Sequence, residues 1–142
     1  MNYHIRVRAG AVIIENDSIL LIEFHDENGL HYNLPAGGVG PNETVIDAVQ
    51  REVKEDDLLF IRECFMNPEV HRVEFMYSCT PVSFTNVNSK TLLHMDSKQT
   101  GISWLPIDDL LHSPLFPIGI RKLIKDFHTG DHSSPVYIGE ID

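Results

Sequence analysis

The stretch from Leu34 to Leu59, LPAGGVGPNETVIDAVQREVKEDDLL, constrains the chain more than any other. Three glycines and two prolines between Pro35 and Pro41 exclude regular structure there and permit close backbone approach to a ligand. An amphipathic helix is expected next. At 100° per residue, Val45, Ile46, Ala48, Val49 and Val53 form an apolar arc, and Glu43, Asp47, Gln50 and Lys54 lie opposite. Asn42 or Thr44 caps it, and Glu43 in the first turn suits the helix dipole. Glu52, Glu55 and Asp56 crowd into one wedge at the margin of the arc. Like charges at that spacing cost a few tenths of a kcal/mol per pair unless a cation sits between them. Mg²⁺ suits the place, because it takes one or two carboxylates together with substrate phosphates.

A chain of 142 residues is long enough for one domain with a real core. Its net charge of −10 argues against a nucleic-acid backbone or an anionic membrane as partner, since both reward clustered Lys and Arg. The opening MNYHIRVRAG lacks the apolar core of a secretory signal, and no apolar run approaches a membrane span. Cys64 and Cys79 have no metal-binding spacing and read as free thiols of a cytoplasmic protein. The eight histidines are scattered, so a zinc site is not expected. No phosphate-binding lysine loop, dinucleotide fingerprint or catalytic triad signature occurs.

Around the central stretch, His4 to Glu15 and Ser18 to Phe24 read as a strand pair joined at Asn16-Asp17. His31 to Leu34 delivers the chain into the glycine turn, and Leu58 to Cys64 is the expected strand after the helix. From His71 to Cys79 the residues alternate, with Val73, Phe75, Tyr77 and Cys79 on one face and Arg72, Glu74, Met76 and Ser78 on the other. Residues 83–100 are polar and turn-rich, a long loop suited to specificity. Gly101 to Leu105 is a last core strand, followed by a short helix from Pro106. A second helix runs from Pro117 to His128, with Ile118, Ile120, Leu123, Ile124 and Phe127 as its apolar set. The domain is expected over 1–128, with a tail over 129–142 that holds an edge strand at Val136-Tyr137-Ile138.

The glycine turn, the helix and its acidic end together resemble the Nudix box, G-x5-E-x7-R-E-U-x-E-E-x-G-U, where U is aliphatic. Gly37 is followed at that spacing by Glu43, by Arg51-Glu52-Val53 and by Glu55, and Leu59 takes the last aliphatic place. The resemblance spans about residues 4 to 127. It implies an α/β (α+β) fold, an α/β/α sandwich around a mixed β-sheet. It also implies a Mg²⁺- or Mn²⁺-dependent hydrolase that cuts a phosphoanhydride bond of a nucleoside diphosphate derivative. ADP-ribose, ADP-sugars or nucleoside triphosphates would be its substrates. Carried over by position, Glu52 and Glu55 become metal ligands or the activator of water, with Asp56 and the Gly37 carbonyl as further ligands. Glu43 and Arg51 match positions that tie loop to helix. Asp96 in the long loop and Glu74 on its strand are weaker candidates for an extra acid, and Tyr77 reads as core. A homodimer is left open.

The end of the box departs from the pattern. Asp56 stands where glutamate is expected, and Leu58 where glycine is expected. Relatives place several residues between the acidic pair and the next strand, yet here Leu58-Leu59-Phe60-Ile61 begins almost at once. A true shortening and a missing segment both account for this. An impaired, nucleotide-binding or regulatory domain is therefore the alternative to an enzyme.

Overall fold

The computed structural model describes residues 3–50, 53–81, 99–131 and 135–141; of residues 53–55, 66, 81 and 99 it describes the backbone alone. Eight strands form one mixed sheet: β1 (His4–Glu15), β2 (Ser18–Asp26), β3 (Gly29–Asn33), β4 (Ala36–Gly38), β5 (Val53–Asn67), β6 (Val70–Pro81), β7 (Gln99–Pro106) and β8 (Tyr137–Glu140). Helix α1 spans Val45–Gln50, the 3₁₀ helix η1 Ile107–His112, and helix α2 Gly119–His128.

β1 is the axis of the sheet. On one side it runs parallel to β6 from His4↔Val70 to Ile13↔Cys79. On the other side it pairs first with β4, through Arg8↔Gly38, Ala9↔Gly37 and Gly10↔Ala36, and then with β2 only at Ile14↔Ile19 and Glu15↔Ser18. The expected hairpin is therefore short. Asn16 and Asp17 both take positive φ, as a tight turn between right-twisted strands demands. Beyond it the two strands part, and β2 pairs with β7 on one edge and β3 on the other.

Alternation along the strands fills a core on each face. Val12, Ile19, Leu21, Phe60 and Met76 pack with Ile107, Leu110, Leu115, Ile120 and Ile124 on the η1–α2 side. Ala9, Ala11, Ile13, Leu20 and Cys79 pack with Val49 of α1 on the other, with Val45, Ala48 and Tyr77 partly buried against them. Helices thus cover both faces, as expected for the sandwich. Ile118 stays exposed, just outside α2. In the tail, β8 lies parallel to β5, and Ile138 and Ile141 pack against the larger core.

The largest correction concerns α1. The helix was expected to carry Glu52, Glu55 and Asp56 on one wedge, but it ends at Gln50, and the chain is already strand β5 at Val53. Ile46, placed in the apolar arc, is exposed. The physical reason is chain length. Phe60 must reach the bottom of the larger core, where it is fully buried opposite Met76. Six residues span roughly 20 Å extended but only about 9 Å as helix. With only Asp56 and Asp57 between Glu55 and Leu58, the extended form covers the greater distance to the sheet. Bulges between Glu55 and Phe60 absorb the strain of register.

Candidate functional site

The glycine turn leads into α1 through two local ties. The Gly40 N–H donates to Glu43 Oε1 at 2.8 Å, which closes the loop. Thr44 is the cap: its Oγ1 accepts from the Asp47 N–H at 3.0 Å, while Asp47 Oδ2 accepts from the Thr44 N–H at 3.2 Å. This reciprocal pair satisfies two donors that the helix leaves free. Asn42 instead supplies a positive-φ turn residue.

Gly37 and Gly38 lie on β4, paired with Ala9 and Arg8. Bonds from the Ala11 N–H to the Pro35 carbonyl (2.9 Å) and from the Val39 N–H to the Val7 carbonyl (3.0 Å) flank this pairing. On the two-residue period of the ladder, the polar backbone groups of Gly37 turn toward β1.

The acidic end of the stretch lies elsewhere. Glu55 pairs with Cys79 on β5, and the exposed Asp56 accepts a hydrogen bond from Thr80 Oγ1 at 2.8 Å through Oδ2. Beside them, the Asp57 N–H donates to Ser78 Oγ at 3.1 Å. Gly37 and Glu55 are separated by three strand spacings and by the rise from Phe75 to Cys79. That places them on the order of 20 Å apart. A metal ion spans only about 4 Å between its oxygen ligands, so the structure does not bring Gly37 and Glu55 together. Among the described residues no group of three His, Cys, Asp or Glu is arranged to hold a metal ion. Arg51, Glu52 and Asp96 lie outside the described residues.

Glu74 does lie among functional-looking partners, though they are not acids. It is buried, with Oε1 2.6 Å from Arg62 Nε and Oε2 3.2 Å from Arg8 Nε. The second contact is an ion pair but not a hydrogen bond, because the N–H of Arg8 Nε is off line and finds no acceptor; Arg72 Nε has none either. Arg6 and Arg72 are opposite one another in the β1–β6 register, one step along from Arg8 and Glu74. Burial holds the Arg8 guanidinium below its ordinary pKa; Glu74 opposes this, while Arg72, Arg6 and Arg62 add to the lowering. Sequence reasoning missed this cluster. Its signal was the shared parity of Arg6 and Arg8, Arg62, and Arg72, which becomes meaningful only once β1, β6 and β5 are known to be neighbours.

Comparison with known proteins places this arrangement. The NUDIX domain profile matches residues 4–127. A NUDIX hydrolase from Nitrosomonas europaea superposes with a TM-score of 0.68 at 23% identity, covering 90% of this chain and 91% of its own. A MutT NUDIX hydrolase from Burkholderia pseudomallei gives 0.59 at 24%, covering 86% and 98%. An ADP-ribose pyrophosphatase from Streptococcus suis gives 0.55 at 19%, covering 96% and 98%. No curated protein sequence matches the chain.

Proposed function

Since this chain belongs to the NUDIX family, we propose that it hydrolyses a phosphoanhydride bond in a nucleoside diphosphate derivative. ADP-ribose and ADP-sugars are the first substrates to test, and nucleoside triphosphates the next. The observation that carries the reading is the box spacing of Gly37, Glu43, Arg51, Glu52 and Glu55, set in a sheet of the family's fold.

In this reading Glu52, Glu55 and Asp56 hold Mg²⁺ or Mn²⁺, with the Gly37 carbonyl as a fourth donor. All four are hard oxygen ligands of the kind such ions take. A bound divalent ion would neutralise phosphate charge and lower the pKa of attacking water. Bringing Glu55 to the Gly37 carbonyl would take residues 53–55 out of their pairing with β6. Glu43 and Thr44 meanwhile hold the glycine turn against α1.

A second reading, a domain that binds a nucleotide without turning it over, is favoured by one observation. Glu55 and Asp56 stand on a strand, and the Asp56 carboxylate is already engaged by Thr80. The two readings separate when the protein is incubated with Mg²⁺ or Mn²⁺ and a panel of nucleoside diphosphate conjugates and triphosphates, beside Glu52→Gln. Turnover abolished by Glu52→Gln supports the enzyme. Binding without turnover of any member of the panel refutes it.

A further inference from the structure

We propose that Arg6, Arg8, Arg62 and Arg72 form an anion site for the pyrophosphate group of a small nucleotide derivative. The site itself stands on the geometry below; only the identity of its ligand rests on the hydrolase reading.

Three observations carry it. The first is charge. Four of the six arginines of a chain with net charge −10 gather on one sheet face around a single buried carboxylate. Glu74 offsets one of the four, and neither Arg6 nor Arg72 has a carboxylate within ion-pair distance among the described residues. The cluster therefore keeps three positive charges, and their mutual repulsion is less screened at the partly buried Arg8, Arg62 and Arg72 than at the exposed Arg6.

The second is unused hydrogen-bonding capacity. The buried Nε–H groups of Arg8 and Arg72 make no hydrogen bond, Arg8 Nε lying 3.2 Å from Glu74 Oε2 as an ion pair only. A guanidinium presents a planar fork that fits phosphate oxygens in pairs, so unfilled N–H groups beside uncompensated charge are suited to that group.

The third is room. Gly38 pairs with Arg8 in β4, and a Cβ built on it would come within 3.9 Å of Arg6 Nη2. A side chain at that position would make only an ordinary contact with Arg6; the room comes from Arg6 itself, which is exposed, so the face opens to solvent at its Arg6 end. The backbone of Glu55 lies on the order of 20 Å from the glycine strand, and among the described residues Arg6 and Arg8 are charged neighbours of Gly38.

The test uses the whole chain in EDTA at low salt, where neither metal nor turnover contributes. Inorganic pyrophosphate and ADP-ribose are titrated separately by calorimetry, and the arginine Nε–H signals are followed by NMR. The expected result is that both ligands shift the Arg8 and Arg72 signals. Arg6→Gln/Arg72→Gln, which leaves the Glu74 pairs intact, should weaken both ligands on the order of tenfold or more. Arg6→Gln alone, at an exposed position, is the variant to use if the double variant does not fold, and should cost several-fold. Unmoved Nε signals, or affinities unchanged in the variants, would overturn the site. Weakened pyrophosphate binding with unaltered ADP-ribose binding would overturn the assignment to a nucleotide. Arginine-dependent binding in a protein without turnover leaves the site standing and removes the hydrolase; turnover with an unchanged KM and unchanged binding in the variants does the reverse.

Discussion

Glu74→Gln is the most informative single substitution, because stability and anion binding should move in opposite directions. The carboxylate is 5% exposed and faces Arg62 at 16% and Arg8 at 22% exposure. Removing one partner of a buried pair costs about 3–5 kcal/mol, chiefly because the remaining charge is left uncompensated. Both guanidiniums keep some contact with water, so the cost here should be nearer 2–4 kcal/mol. For a chain of this size that corresponds to a fall in Tm of roughly 5–15 °C. The same change leaves four arginines with no internal counter-ion, so pyrophosphate should bind more tightly than to the wild type. Saturating pyrophosphate should also recover part of the lost Tm, because a ligand that binds only the folded state stabilises it by mass action. Thermal melts of both proteins, with and without pyrophosphate in EDTA, measure all three effects. A Tm within about 2 °C of wild type would refute the assignment of Glu74 as the counter-ion. A destabilised variant that pyrophosphate does not rescue would refute the link between the pair and the anion site.

Other consequences follow from particular contacts. A Cβ on Gly10 would lie 2.6 Å from the Pro35 carbonyl oxygen and 2.5 Å from Met76 Sδ. Gly10→Ala should therefore push β4 off β1 and cost about 2 kcal/mol or more in denaturant unfolding; a neutral result would contradict the close approach. Thr44→Ala removes the cap of α1 and should cost about 1 kcal/mol, with Thr44→Ser close to wild type. The tail should respond to pH at both extremes. The Tyr137 hydroxyl, and after it His71, hold the Glu63 carboxyl below its ordinary pKa, and the bond to Glu63 raises that of Tyr137. The depressed Glu63 contributes above the ordinary carboxylate pKa, and its contribution fades as pH falls through the lowered value. The raised Tyr137 contributes below the ordinary tyrosine pKa, and its contribution fades as pH climbs through the raised value. Amide-exchange protection of β8 should therefore be flat at neutral pH and fall at both ends; Tyr137→Phe should lower the plateau, and an unaltered profile would refute the clasp.

How much could be read in advance divides at Gln50. Up to that residue most local signals agree: the β-branched run of β1, the Asn16-Asp17 turn and the Thr44 cap each specify what they form, whereas Ala36–Gly38, expected to hold no regular structure, pairs with β1 as β4. Beyond it local and global demands conflict. Residues 51–57 carry helical periodicity and the spacing of the box, yet the next core residue, Phe60, has to be delivered to the sheet within a few positions. A short helix gains little from its own hydrogen bonds and depends on packing for its stability. α1 buries only Val49 fully, whereas β5 pairs along most of its length with β6 and places Phe60 in the core. The sheet wins that competition from Val53 on, and Glu55 and Asp56 go with it. The arginine cluster was illegible for a complementary reason: its members come from three strands and share a face only through pairing registers that no local pattern encodes. The same pairing that draws the acidic segment away from the glycine strand sets the arginines beside it. In this chain, then, the glycine strand has Arg6 and Arg8 of β1 for charged neighbours, while the backbone of residues 53–55 is paired with β6.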